Sequence, residues 1–335
     1  MDGSVGVLEN GVDISLLRTA VIIPCYNEAA AIGAVVRDFR AALPHAEIYV
    51  YDNNSTDDTG AVARDAGAIV RLERRRGKGA VVRRMFADID ADIYVMIDGD
   101  DTYAAADAPA FIHRLVDEGL DMVNGARRLE ALEEYRAGHK FGNRMLTGIV
   151  RWIFGDDYKD MLSGYRVFSR RFVKSFPAMS SGFEIETELT VHALELRMPS
   201  AEIETDYGER PEESASKLKT FSDGFRILWM ILILVKQERP MLLFGSVGLA
   251  CVAVSLALGY PIVMEFIATG LVPRFPTAIL SVGVMLIGVL SSFCGLVLDS
   301  VTRGRGETKR LHYLGVPSVH AAYKAVLDDK TRASA

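Results

Sequence analysis

From Met241 to Met264 the chain runs 24 residues without a charged side chain, and from Thr277 to Leu298 it runs another 22. About 20 apolar residues in a helix span the hydrocarbon of a bilayer, and inside it each backbone polar group must be satisfied within the segment itself. The residues between the runs include Gly270, Pro273 and Pro276, which interrupt a helix. Two transmembrane helices, about 241–264 and 277–298, within a membrane segment of 240–300, are therefore expected in place of two core helices. Lys236 and Arg239 precede the first run and Arg303, Arg305, Lys309 and Arg310 follow the second, against Arg274 in the connection. That bias predicts an integral protein of the inner membrane with both termini cytoplasmic. Gly245, Gly248, Gly283 and Gly288 would let helices approach closely, either the two spans in one chain or the spans of a homo-oligomer.

Just before the hairpin, "GFRILWMILILVK" (224–236) is apolar but too short to span and is flanked by Arg226 and Lys236. Residues 221–239 read as an amphipathic helix in the membrane interface, with a helix packed on a soluble domain as the alternative. The opening residues, 1–17, form a tail that lacks the basic start and apolar centre of a signal peptide. Residues 301–335 read as a cytoplasmic tail.

Residues 18–220 alternate strand and helix signals, the pattern of an α/β domain with a mostly parallel sheet. Strands are predicted at Thr19–Pro24, Ala46–Asp52, Ala68–Glu73, Ala91–Asp98 and Asp121–Arg127, with helices from about Glu28 to Arg40, after "STDD" (55–58), and after the glycines of "RRRGKG" (74–79). A net charge of −6 argues against nucleic acid as a partner. Cys25, Cys251 and Cys294 are too far apart in the chain to suggest a zinc motif or a disulfide framework.

Ligands of open α/β sheets bind beyond the carboxyl ends of the strands. Those ends carry Asn27 and Glu28, then Asp52, then the basic loop Arg74 to Lys78, then Asp98, Asp100 and Asp101. Clustered carboxylates repel and are costly to bury, whereas around Mg²⁺ or Mn²⁺ and a phosphate they are useful, since these ions take oxygen ligands from one or two carboxylates and from substrate phosphates. "VMIDGDDTY" (95–103) is thus a candidate metal–diphosphate platform, and Lys78, ahead of a helix, a candidate phosphate contact. The first strand ends in "PCYNEAA" without glycines, so the dinucleotide fingerprint is absent. Ser163 in "LSGY" lacks the context of a hydrolase nucleophile, and His113, His139 and His192 show no metal-ligand spacing.

"VIIPCYNE", "VYDNNSTDDT", "RGKGAVVR", "MIDGDDTY", "MLSGYRVFSRR" and "ERPEESASKL" occur in an order and style that resembles family 2 glycosyltransferases. The subgroup most similar is the polyprenyl-phosphate glycosyltransferases, of which dolichol-phosphate mannose synthases are members. The resemblance covers about residues 18–235, and many bacterial members carry a membrane anchor like the hairpin here. It implies a GT-A fold, Rossmann-like, that passes a monosaccharide from a nucleotide sugar, UDP- or GDP-linked, to a polyprenyl phosphate with inversion. On that likeness Pro24, Tyr26, Glu28, Asp52, Lys78, Asp98 and Gly99 would bind the donor, and Asp98, Asp100 and Asp101 would hold Mg²⁺ or Mn²⁺. The pattern D-G-D-D-T departs from the family's D-A-D and leaves the third protein ligand open. Arg127, Arg144, Arg210 and Lys217 would bring cations to the acceptor phosphate. Asp98, Asp100, Asp160 and Arg166 are the catalytic candidates, with Asp160 and Glu184 either orienting acceptor or sugar hydroxyls or pairing with arginines.

A phosphate monoester, with a second pKa near about 6, is largely dianionic at neutral pH and can attack without a strong base. The protein then has to position the partners and stabilise charge. Two alternatives stand beside this reading. A processive polysaccharide synthase would carry a Q-x-x-R-W signature and more spans, neither of which is present. A non-catalytic membrane scaffold would be expected to have lost one of Glu28, Asp52, Asp98 or Asp100, and all four remain.

Overall fold

The computed structural model describes residues 13–128, 148, 158, 160–180, 182, 184–208, 233, 235–236 and 238–333. Two compact units divide the chain, one comprising residues 1–224 and 309–335 and the other 225–308.

The first unit is built on a sheet whose described strands number seven, in the order β3-β2-β1-β4-β6-β5-β7. The strands are β1 (Thr19–Cys25), β2 (Glu47–Asp52), β3 (Ile69–Leu72), β4 (Ile93–Met96), β5 (Met122–Arg127), β6 (Arg166–Ser169) and β7 (Ser200–Thr205). The first five fall where the alternation of the sequence predicts them. Between and after them lie α1 (Ile32–Ala42), α2 (Thr59–Asp65), α3 (Lys78–Asp88), α4 (Ala108–Asp117), α5 (Arg170–Ser175) and α6 (Ile185–Glu195). β4, "IYVM", is buried at every residue, as a central strand covered on both faces must be. β1 runs parallel to both β2 and β4. β6 alone is antiparallel to its neighbours β4 and β5, and β7 returns parallel to β5.

Register decides what the sheet presents. Cys25 pairs with Asp52 and Ile22 with Met96, so β1, β2 and β4 end on one rim and release their loops side by side. The helix after β2 starts later than its capping sequence suggests. Its N-cap is Asp58, and Ser55 instead accepts a hydrogen bond from the Asn27 N–H at 2.9 Å.

The end of the chain is part of this unit. Val319 and Tyr323 of α9 (Val319–Ala333) belong to the buried cluster that contains Val35, Phe39 and Phe111, and the Tyr323 hydroxyl accepts from the Asp13 N–H. Asp121, fully buried, receives two bonds from Arg171, one from Ser169 Oγ and one from Tyr313.

In the second unit, α7 (Pro240–Thr269) and the greater part of α8 (Phe275–Leu314) contain helices long and apolar enough to cross a membrane. Their large apolar side chains point outward, with Leu249 72% and Ile267 71% exposed, an apolar surface of the kind that a membrane or another protein covers. The two helices are antiparallel neighbours. Ser255 Oγ donates to the Ser281 carbonyl at 2.7 Å and Ser281 Oγ to the Ser255 carbonyl at 2.9 Å. A methyl group on Gly248 would strike Ser292 Oγ and the Gly288 carbonyl, and one on Gly288 would meet Cys251. Gly248 and Gly288 therefore serve the contact between the two helices, while Gly283 faces open space.

Candidate active site

The loops after β1 and β2 are laced together by side chains that reach for backbone. Asn27 Oδ1 accepts from the Thr56 N–H at 2.8 Å, the Glu28 N–H donates to Thr59 Oγ1 at 2.9 Å, and Asp52 Oδ1 accepts from the Ser55 N–H at 2.9 Å. Asp57 accepts from the Ala29 N–H and from Thr59, and these bonds hold its carboxyl below the ordinary range although burial pushes the other way. Asn27, Asn54 and Asp101, at the ends of three different strands, all have positive φ (53°, 60° and 59°). Asparagine and aspartate adopt that conformation at least cost among residues with a side chain, and such strain collects at functional sites.

The basic loop is held by Asn53 and Asn54, which follow β2. Asn53 Nδ2 donates to the carbonyls of Glu73 and Arg75 at 3.0 and 2.6 Å, its Oδ1 accepts from the Gly77 N–H at 2.7 Å, and Asn54 Nδ2 donates to the Arg74 carbonyl at 2.6 Å. Lys78 is thereby delivered as the first residue of α3. Its ammonium lies 2.5 Å from Asp98 Oδ1 and 2.6 Å from Glu186 Oε1. Burial works against the charge on Lys78, but Asp98 and Glu186 together hold its pKa above the ordinary value.

Four of the acidic candidates act on one buried thiol. The buried Cys25 thiol is pushed well above its usual pKa, first by burial and then by the charges of Glu28, Asp98, Asp52 and Asp100. Gly99 packs so close that a Cβ would sit 2.6 Å from Cys25 Sγ. Gly164, in the "LSGY" stretch, leaves the space that the Asp98 carboxylate fills, since a Cβ there would come within 2.7 Å of Asp98 Cγ. Asp100 is buried and accepts from Thr102 Oγ1 at 2.7 Å. Asp101 is exposed, and its carboxyl pKa is raised by partial burial and by Asp38 and Asp100. Pro24 and Tyr26 are half-buried at the end of β1 beside them.

A divalent cation fits this donor set. Asp98 and Asp100 offer carboxylate oxygens two residues apart at a strand end, Asp98 stands in a cradle kept open by Gly164, and a cationic group, the Lys78 ammonium, already sits against it. Among the described residues no three His, Cys, Asp or Glu side chains form a ready-made cage. Two carboxylates with phosphate oxygens and water are what Mg²⁺ commonly takes.

Asp160 and Arg127 form a second centre. The Arg127 guanidinium binds the Asp160 carboxylate through two bonds, at 2.7 and 3.0 Å, and lies over the Tyr207 ring. Asp160 is buried and Arg127 half-buried, yet Arg127 holds the Asp160 carboxyl below its ordinary range although burial pushes the other way. Of the two roles open to Asp160, pairing with an arginine is the one seen. Arg166 is fully buried in β6, donating to the carbonyls of Ser163 and Met161 and to Thr190 Oγ1. It braces the turn that carries Gly164. Arg144, Arg210 and Lys217 lie outside the described residues.

Glu186 and Gly164 are the site residues that sequence reasoning passes over. Glu184 attracts attention in "GFEIETEL", yet Glu186 reaches Lys78. α6 is buried at nine of eleven positions, so no polar face in its periodicity singles out the glutamate that turns inward.

Residues 20–175 match the family described as Glycosyl transferase family 2. Glycosyltransferase AglJ of Haloferax volcanii is 34% identical over 301 residues, covering 88% of this chain and 97% of the relative. Dolichyl-phosphate hexose transferase of the same organism is 29% identical over 221 residues, 66% of this chain and 95% of the relative. Among solved structures, glucosyl-3-phosphoglycerate synthase from Mycobacterium tuberculosis, in complex with Mn²⁺, UDP-glucose and phosphoglyceric acid, superposes with a TM-score of 0.54 at 24% identity. The superposition covers 64% of this chain and 79% of that one and is a likeness of fold.

Proposed function

The chain belongs to family 2 of the glycosyl transferases, and from that premise we propose that it transfers a hexose, with inversion, from a UDP- or GDP-sugar to a polyprenyl phosphate at the cytoplasmic face of a membrane. The observation that carries this reading is the placement on one rim of Asp52, paired in register with Cys25, and of Asp98 and Asp100, which flank the Gly99 that packs on the Cys25 thiol, in a chain that also holds two helices of membrane-spanning length. A soluble acceptor would not require the helices. They suit a lipid acceptor, because its chain stays in the bilayer while its phosphate projects into the interface, and an anchored domain is held beside it.

In this reading the loops after β1 and β2 seat the nucleoside, with Glu28 and Asp52 facing it. Asp98 and Asp100 hold Mg²⁺ or Mn²⁺, which when bound neutralises charge on the donor diphosphate. Lys78 adds a second cation there. The acceptor phosphate supplies its own nucleophilic oxygen, so no residue needs to remove a proton from it, and the protein's contribution is orientation and electrostatic stabilisation. Asp160 orients Arg127 for the acceptor side, to which Arg144, Arg210 and Lys217 would add further cations.

The test is transfer from labelled UDP- and GDP-sugars to undecaprenyl phosphate by the purified full chain with Mn²⁺ or Mg²⁺. A lipid-extractable product that disappears with EDTA is expected. Metal-dependent nucleotide binding without any lipid product would remove the acceptor from the proposal.

A further inference from the structure

One ammonium group serves two carboxylates at the heart of the site. Lys78 Nζ lies 2.5 Å from Asp98 and 2.6 Å from Glu186, and the side chains of Lys78 and Glu186 are only 9% and 11% exposed, against 26% for Asp98. Resting on the proposed function, we propose that Lys78 is a resident counter-ion that occupies Asp98 until the metal and nucleotide arrive together, with Glu186 as the positioning residue to which Lys78 stays tethered.

The argument is one of competing cations. A carboxylate already paired at 2.5 Å with a buried ammonium is a poor ligand until that pairing is surrendered, so a divalent ion arriving alone must displace Lys78 and leave it one anionic partner short. A diphosphate arriving with the ion supplies a replacement partner for the ammonium. Metal and nucleotide should therefore each raise the other's affinity by the same factor, as linkage requires. Glu186 prevents the released lysine from leaving, because its carboxylate comes from α6, a different element from Asp98, and does not depend on the metal. The arrangement would keep the site from filling with a metal ion in the absence of donor.

Direct Mn²⁺ binding to the full chain in detergent, followed by electron paramagnetic resonance with and without UDP and GDP, reads this without any need for turnover. In the wild type, nucleotide should tighten Mn²⁺ binding. In Lys78→Met, Mn²⁺ alone should bind about fivefold or more tighter than in the wild type, and the nucleotide-induced gain should shrink by a similar factor, within the usual range of coupling between sites. Lys78→Gln, which keeps a polar head, carries the same expectation should the methionine variant fail to fold. In Glu186→Gln, where Asp98 becomes the sole anionic partner of Lys78 in this trio, Mn²⁺ alone should bind more weakly than in the wild type. If Lys78 variants bind Mn²⁺ alone no better than the wild type while nucleotide still promotes binding, the counter-ion role is overturned and the metal-dependent reading survives. If no form binds Mn²⁺ under any condition, both are overturned.

Discussion

At Asp100 the difference between a carboxylate and an amide isolates charge from shape. Asn in place of Asp100 keeps an oxygen for Thr102 Oγ1 but loses the anionic ligand. Asp100→Asn should fold normally by circular dichroism and lose about 100-fold or more in transfer rate, the scale of removing one electrostatic contact from a transition state. Gly164→Ala tests the cradle: its Cβ would collide with the Asp98 carboxylate, so Mn²⁺ binding and transfer should both fall while the melting temperature changes little. His192 makes a different kind of prediction. Burial, and secondarily Lys309, depress its pKa from 6.5 to about 3, so the native state favours neutral imidazole. Between pH 6.5 and about 3 the unfolded chain takes up the proton more readily, and stability contributed by this site falls as pH is lowered, by up to about 1.4 kcal/mol per pH unit. Thermal unfolding of the wild type should lose stability between pH 6.5 and 5, and His192→Gln should show a shallower dependence over the same interval.

Among the elements, α9 shows how much local pattern leaves unsaid. Eight of its fifteen residues are apolar, but nothing in the sequence of 319–333 says that Val319 and Tyr323 join a core whose other members lie more than 150 residues earlier. Tyr323→Ala should cost about 3 kcal/mol, the usual range for deleting a buried aromatic ring, measurable as a lower unfolding midpoint of the sheet-containing unit. β6 and β7 escape periodicity for a related reason. β6, "RVFS", has four residues, all buried although two are polar, so neither an apolar run nor an alternation marks it as a strand. The parallel strands β1, β2 and β4 are legible because their apolar runs end abruptly in polar rim loops, and those loops carry the chemistry.

For the whole molecule, the prediction concerns sidedness. Cys25 is buried, and Cys251 and Cys294 lie in the apolar helices, so the native protein offers little background to a membrane-impermeant maleimide. Val272, exposed between α7 and α8, can carry a reporter. Val272→Cys should be labelled from outside intact cells, which would put the sheet-containing unit on the cytoplasmic side, where nucleotide sugars are. Labelling only after permeabilisation would reverse the orientation drawn from the basic flanks.

Apolar runs along the chain were enough to establish the mostly parallel α/β domain and the two apolar helices, and a series of motifs pointed to the family, because a buried strand, a helix of spanning length and a motif are all local in sequence. They also placed Glu28, Asp52, Asp98 and Asp100 at strand ends. What tertiary structure alone decided is which side chains meet. The pairing of Lys78 with Glu186 joins residues 108 apart, and that of Arg127 with Asp160 joins residues 33 apart. The space reserved by Gly164 for Asp98 likewise depends on an antiparallel strand entering an otherwise parallel run. Such contacts arise from sheet register and helix packing, which depend on the whole chain at once, and no window of sequence contains both partners.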